Sequence, residues 1–251
     1  MLQFFGRFTN LPMSETAIII PARYGSTRLQ AKALLSIGSM SLIQQVWMRA
    51  SQIPDVSVFV ATDHEEIADT VSGFGGQVLM TSPSCQTGSD RVAEALGQIP
   101  KETKNIINLQ GDLPFINPSE VMGVLQPLRA GFDVGTLVAC MPEERQRNPS
   151  YVKAVLSASE SPGVMRCHWF CRASMPYGHH HLGVYAYARE ALAHFAKTPP
   201  HPLEKQESLE QIRFLTLGYQ IGAVLVSSLA LEVNTKEDLI EARAYAEQAS
   251  A

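Results

Sequence analysis

Three cations fall within ten positions, Arg23, Arg28 and Lys32, directly after the apolar run Ile18-Ile19-Ile20-Pro21-Ala22. Two guanidinium forks and an ammonium suit the oxygens of a phosphate chain. Gly25 lets the backbone come close, and Ser26 and Thr27 add hydroxyl donors. A second group, Asn108-Leu109-Gln110-Gly111-Asp112, sets a carboxylate beyond another apolar run, where it can ligate a hard cation bridging nucleotide phosphates. A third, Gln86-Thr87-Gly88-Ser89-Asp90-Arg91, opens a helical pattern and can hold a base edge or a phosphate. A fourth, Arg172 with His181, offers a cation and an imidazole suited to the carboxylate and hydroxyls of a sugar acid. Taken singly, each group has a plainer reading: a solvated basic turn, a turn-capping aspartate, an N-cap by Ser89, a surface ion pair, a satisfied core histidine.

The elements that must position these groups alternate. Strand-like runs at 17–22, 56–61, 78–80, 105–110 and 134–139 are separated by amphipathic patterns around Leu42 to Ala50, Ile67 to Val71 and Val92 to Leu96. Strands alternating with helices imply an α/β fold with a mainly parallel mixed sheet and helices on both faces. A ligand of such a sheet sits beyond the carboxyl ends of its strands, where the basic loop lies. The second half is richer in strands, at 152–156, 164–170, 182–187 and 221–226. One long helix is expected over 203–217, and a last one from Asn234-Thr235 to about Ala246. The simplest organisation is a single domain over 14–251 with a β-rich insertion at about 140–190, preceded by a disordered extension over 1–13.

Composition narrows the partners. A formal net charge of -4 argues against a nucleic-acid or anionic-membrane surface and leaves a small anionic ligand. No apolar run reaches the roughly 18 residues of a membrane span, and residues 1–13 lack the features of a secretory signal, so the chain reads as cytoplasmic. The four cysteines do not make a disulfide framework. Cys167, Cys171 and His179-His180-His181 raise a zinc site, but adjacent histidines in a strand point to opposite faces, which favours buried thiols and one working histidine.

In order and spacing these segments resemble the 3-deoxy-manno-octulosonate (Kdo) cytidylyltransferases, the CMP-Kdo synthetases that activate Kdo for lipopolysaccharide assembly. The resemblance runs from about Ala17 to Ala246. It rests on Ile20-Pro21-Ala22-Arg23 with Ser26-Thr27-Arg28, Ala61-Thr62-Asp63, Gln86 to Arg91, Gln110-Gly111-Asp112, Arg172-Ala173, His181 to Tyr185, Pro202-Leu203-Glu204 and Leu209-Glu210-Gln211. It implies a nucleotide-diphospho-sugar transferase fold and a homodimer formed with the insertion. Arg23, Arg28 and Lys32 would grip the CTP phosphates, with Arg23, Lys32 and Asp112 as the catalytic set. Ala22, Gln86, Ser89, Arg91 and Gln110 would line the nucleotide pocket. Arg172, His181, Glu210 and Gln211 would line the sugar-acid pocket. Asp112, with the residue at 234, would hold Mg2+.

Two departures from the family pattern lie at that site. The phosphate loop usually reads Leu-Pro-Gly-Lys-Pro-Leu, and here it is Leu29-Gln30-Ala31-Lys32-Ala33-Leu34, which has lost a flexible glycine and two prolines. The segment that usually reads Gly-Val-Asp-Thr-Pro-Glu-Asp is Glu232-Val233-Asn234-Thr235-Lys236-Glu237-Asp238, so a neutral amide replaces the second metal-binding carboxylate. A related acid such as an amino-substituted Kdo, or a weakly active nucleotide-binding homologue, are the alternatives these departures raise. A gain on Asn234→Asp is expected if the lost carboxylate limits turnover; the plainer expectation is that Asn234 caps the last helix.

Overall fold

The run Thr16–Ala22 (β1) is buried along its whole length, and a strand apolar on both faces belongs in the middle of a sheet covered on both sides. Ala17 and Ile19 face one apolar cluster while Ile18 and Ile20 face the other, the period-2 alternation of a strand. The computed structural model describes residues 15–25, 29–227 and 231–250. The expected extension over 1–13 and the candidate Arg28, with Ser26 and Thr27, lie outside the described residues.

After β1 come a small hairpin of β2 (Ser36–Ile37) and β3 (Met40–Ser41), then α1 (Leu42–Ser51), β4 (Ser57–Thr62), α2 (Glu65–Gly73), β5 (Gln77–Met80), α3 (Gly88–Ala95) and β6 (Asn105–Leu109). The chain continues through α4 (Pro118–Gly123), α5 (Gln126–Arg129), β7 (Val134–Ala139), α6 (Glu143–Gln146), β8 (Lys153–Ala158), β9 (Met165–Cys171) and β10 (His179–Ala188). It closes with α7 (Arg189–Lys197), α8 (Pro202–Glu207), α9 (Gln211–Thr216), β11 (Ile221–Leu225) and α10 (Lys236–Ser250).

One sheet of nine strands carries the order β5-β4-β1-β6-β10-β7-β11-β9-β8. The pairs β5–β4, β4–β1, β1–β6 and β7–β11 are parallel, whereas β10 runs antiparallel between β6 and β7. One apolar cluster packs α1, α2, α4 and α10 on the sheet, and the other packs α3, α7 and α9 on the opposite face. Among the described residues no helix is long and apolar enough to cross a membrane.

Two expectations change. Residues 179–188 are a central strand, so the strand-rich segment expected as an insertion supplies part of the sheet's middle rather than a separate appendage. The single helix expected over 203–217 is two short helices broken at Ser208, whose φ of 55° and ψ of 46° are left-handed. The run 203–217 holds no glycine or proline and so reads as one helix; the break coincides with the tertiary contacts at Glu210, described below.

Gly135 on β7 and Gly222 on β11 are directly paired. A Cβ at 135 would lie 2.1 Å from the Val124 carbonyl oxygen, and one at 222 would lie 2.6 Å from Pro127. These glycines let the α4–α5 segment press onto the sheet. Gly135→Ala must push backbone away from backbone, so it is expected to cost about 3 kcal/mol, read as a lower urea midpoint at unchanged m-value. An unaltered midpoint would contradict this packing.

Candidate active site

The carboxyl ends of β1 and β6 open into one cleft with two chambers, of about 230 and 590 Å3. Arg23, Gln86, Thr87, Gly88, Gln110, Asp112 and Asn234 line both. Pro21, Ala22, Lys32 and Arg91 belong to the smaller chamber, and Arg172, His181, Glu210, Gln211 and Glu232 to the larger.

The smaller chamber is framed by Asp63, which follows β4. Its carboxylate accepts the Tyr24 N–H at 3.3 Å and the Arg91 guanidinium at 2.9 Å, tying the loop after β1 to α3. Arg91 is 2% exposed and also donates to the Thr81 hydroxyl at 2.6 Å. Arg91 therefore forms the wall through its own internal bonds, while Arg23 is exposed at the mouth.

Lys32 begins a three-residue 3-10 turn whose preceding residue, Ala31, sits at φ 48° and ψ 36°. This is the position where a glycine is the family habit, and the alanine adopts the left-handed conformation at a cost of roughly 1 kcal/mol. Ala31 thus holds the left-handed conformation that a glycine takes at no steric cost. Lys32 Nζ donates to Asp112 Oδ2 at 3.1 Å and to Asn234 Oδ1 at 3.3 Å. Two strand-end segments meet there because the Val233 N–H donates to the Asp112 carbonyl at 2.9 Å. Gly111 lets the turn after β6 pass close to β1, since a Cβ would lie 3.0 Å from the Pro21 carbonyl oxygen.

Asn234 does not cap the last helix. Thr235 does: its hydroxyl accepts the Asp238 N–H at 3.2 Å, and the Asp238 carboxylate accepts the N–H groups of Asn234 and Thr235 at 2.8 Å each. The Asn234 side chain turns instead into the cleft, where its Nδ2 donates to Glu232 Oε2 at 3.2 Å. Glu232 stands two residues earlier in an extended segment, on the same side. Burial and the nearby Asp112 push its carboxyl up to about 8.

Gln110 lies between two glycines. A Cβ at Gly88 would sit 2.6 Å from its Nε2, and one at Gly183 would sit 2.9 Å from its Cγ. The register of β10 shifts between Leu182 and Tyr185, and this bulge aims the Gly183 carbonyl at the Gln110 N–H, 3.3 Å away.

Ser89 differs from its expected place in the nucleotide pocket. It is fully buried, and its N–H and hydroxyl donate to the Glu210 carboxylate at 3.0 and 2.9 Å. Nor does Ser89 cap α3; Thr87 does, in a reciprocal pair with Asp90. Residue spacing marks a helix start here but not which hydroxyl turns inward. Glu210 is correspondingly held at the border of the larger chamber by α3.

In that chamber the Arg172 guanidinium donates to the carbonyls of Pro149 and Ser150 at 3.2 and 3.1 Å. Gln211 is 2% exposed, and its Nε2 has no hydrogen-bond partner among the described residues, leaving a buried donor on the chamber wall. His181 is 5% exposed with Nε2 at 3.0 Å from the Thr136 hydroxyl. That hydroxyl donates to the Val184 carbonyl at 2.9 Å, so it accepts from the ring, which fixes the Nε2–H tautomer. His181 is thus a neutral, internally bonded ring at the chamber wall rather than a charged one.

Burial pulls the His181 imidazole down to about 3, with His180 and then Arg172 adding to it, and pulls His180 down to about 4, with Arg145 and Lys153 adding. An unfolded histidine takes its proton near 6.5, so the stability these rings contribute is complete above that pH and lost as pH falls towards their folded values. At pH 5 the loss is about 2 kcal/mol for each. Glu232 acts in the opposite sense, its neutral form costing stability as pH rises from 4.5 towards 8. Imidazole NMR resonances of His180 and His181 are expected to show no protonation between pH 8 and 5; a midpoint inside that window would contradict their burial.

The comparisons with known proteins agree with one another. A family model described as cytidylyltransferase matches residues 17–221. A 3-deoxy-manno-octulosonate cytidylyltransferase of Nitrobacter winogradskyi is 44% identical over 238 residues, covering 92% of this chain and 93% of that protein. One of Parvibaculum lavamentivorans is 43% identical over 235 residues, covering 90% and 91%. Among solved structures, a CMP:2-keto-3-deoxy-manno-octonic acid synthetase complexed with CTP superposes with a TM-score of 0.85 at 35% identity, over 93% of this chain and 99% of that one.

Proposed function

The chain belongs to the 3-deoxy-manno-octulosonate cytidylyltransferase family, and from that premise we propose how its cleft works. The protein is a nucleotidyltransferase that couples CTP to Kdo, giving CMP-Kdo and pyrophosphate. The anomeric hydroxyl of the sugar acid attacks the α-phosphorus of CTP; a carbon–oxygen–phosphorus link forms, the α–β phosphoanhydride breaks, and the hydroxyl proton is released. Such chemistry depends on alignment and charge neutralisation rather than on a covalent enzyme intermediate.

The observation that carries this reading is the meeting of Lys32, Asp112 and Asn234 where the two chambers join. The smaller chamber takes the nucleotide, with Arg23 and Lys32 facing its phosphates and Gln86, Gly88 and Gln110 its base and ribose. The larger takes the sugar acid, with Arg172 for its carboxylate and Gln211 for a hydroxyl. Asp112 and Asn234 fit Mg2+: a carboxylate and an amide oxygen converge on one cationic group, Lys32 Nζ, and hard oxygen donors of this kind are what the ion takes. Bound there, Mg2+ would neutralise charge on the triphosphate. The protein is further proposed to be cytoplasmic and a homodimer joined near the β8–β9 edge, where Tyr177 is 61% exposed.

One observation favours a second substrate. Glu232 puts a carboxyl group on the wall of the sugar-acid chamber, where an ammonium would find a partner, so an amino-substituted Kdo is the second reading. Pyrophosphate release measured with CTP, Mg2+ and either acid tests both; release with neither, at retained CTP affinity, would reject them together.

The amide at 234 has its own prediction. Asn234→Asp replaces the donor to Glu232 by a second carboxylate that shares its proton, so the gain in kcat/KM at pH 7 is expected to stay under about threefold. Glu232→Gly with Asn234→Asp removes the competitor, and an increase of about tenfold over the single variant is expected. A large gain from Asn234→Asp alone would show that Glu232 does not oppose it.

A further inference from the structure

Arg213 lies outside both chambers and is 2% exposed. A buried guanidinium must be paired and fully bonded to be tolerated. Its Nε and Nη2 grip both oxygens of Glu204, at 2.8 and 2.5 Å, in a two-pronged pair. Its Nη1 donates to Asp90 Oδ1 at 3.0 Å and to the carbonyls of Phe195 and Thr198 at 3.4 and 3.3 Å. Its plane lies 3.9 Å from the centre of the Phe195 ring.

The two carboxylates it joins serve different walls of the cleft. Asp90 uses its other oxygen to accept the N–H and the hydroxyl of Thr87, at 3.1 and 2.7 Å, and so fixes the turn 86–88, the wall that the smaller chamber shares with the larger. Glu204 lies on α8 and accepts the His201 N–H at 3.2 Å, holding the helix whose continuation carries Glu210 and Gln211 along the larger chamber. A second tie runs parallel, from Ser89 on α3 to Glu210. Both ties cross more than a hundred residues of sequence, and both end on the first turn of α3.

Resting on the reading of the cleft given above, we propose that Arg213 is a positioning residue which locks the nucleotide wall to the sugar-acid wall, so that each ligand binds to a cleft the other has helped to order. It touches neither ligand. Without it the turn at Thr87 and the α8–α9 segment relax independently, and the mutual tightening of the two ligands is lost.

Removing Arg213 alone would strand Glu204 in the interior, so the test replaces the pair by apolar residues of similar size, Arg213→Met with Glu204→Leu. Asp90 keeps its contact with water, its side chain being 21% exposed. The probes are α,β-methylene-CTP, which cannot release pyrophosphate, and Kdo, each titrated calorimetrically alone and in the presence of the other. In the unmodified protein each is expected to tighten the other about tenfold. In the double variant the nucleotide dissociation constant is expected to rise about tenfold, with mutual tightening reduced to under about twofold. Arg213→Lys keeps the charge but cannot span Glu204 and Asp90 together, and an intermediate loss is expected whether or not the double variant folds. Unchanged nucleotide affinity and unchanged tightening in a folded variant would overturn the proposal. Failure of the unmodified protein to release pyrophosphate from CTP would instead overturn the functional reading, and the nucleotide dissociation constants would still judge the brace.

Discussion

Asp112→Asn is expected to lower kcat/KM about 10³-fold while leaving the fold intact. Among the described residues, Asp112 is the one carboxylate that meets Lys32 at the junction of the two chambers, because position 234 already carries an amide. With a second amide at 112, the pair facing the triphosphate would be wholly neutral, and hard-cation affinity depends on ligand charge. The half-saturating Mg2+ concentration is therefore expected to rise by at least an order of magnitude. Stability should move by about 1–2 kcal/mol, since the Lys32–Asp112 pair is only about one-fifth exposed but an amide oxygen at 112 can still accept from Lys32 Nζ. Steady-state rates across a Mg2+ titration, with a thermal melt alongside, separate the two effects. Activity within tenfold of the unmodified protein would remove Asp112 from the centre of the reaction.

Arg172→Met is expected to raise the KM for the sugar acid about a hundredfold, with kcat and CTP affinity unchanged within a small factor. The guanidinium is anchored by the carbonyls of Pro149 and Ser150, which fixes its plane beside the larger chamber. Its backbone N–H is held by the Glu207 carboxylate at 3.1 Å, and Lys153 Nζ, buried in β8, donates to the Arg172 carbonyl at 3.2 Å. The backbone at 172 therefore stays in place when the side chain is shortened, and the loss isolates the cation. Arg172→Lys retains charge without the planar fork, and about a tenfold rise in KM is expected. If CTP affinity fell instead, Arg172 would have to be reassigned to the triphosphate.

Much of this cleft was legible because its groups follow buried strands. The run 17–22 is apolar on both faces and 105–110 carries Ile106, Ile107 and Leu109, so both mark the sheet, and the polar residues directly after them must then lie at its carboxyl edge. That logic brings Arg23, Lys32 and Asp112 together before any coordinates are known. What the sequence conceals is direction and long-range pairing. Ser89 and Thr87 are both plausible caps by type, and it is the Glu210 carboxylate, 121 residues away, together with the Tyr187 hydroxyl, 98 residues away, that holds Ser89 inward. The break at Ser208 falls in a stretch without glycine or proline and so leaves no local mark. Glu232 and Asn234 sit on one side of an extended segment, but their contact depends on how that segment meets β6 through Val233 and Asp112. His181 is recognisable as a site residue by its motif, whereas its neutrality follows from Thr136 on a neighbouring strand.

With Asn234 at the proposed metal position and Ala31 in the proposed phosphate loop, the cleft is still expected to transfer a cytidylyl group. The most direct measurement is 31P NMR of the unmodified protein with CTP, Kdo and Mg2+, followed in real time. Loss of the three CTP resonances, with pyrophosphate and one phosphodiester resonance of CMP-Kdo growing in equal amounts, is the predicted result. CTP resonances that persist unchanged, from a protein that binds CTP by titration, would contradict it.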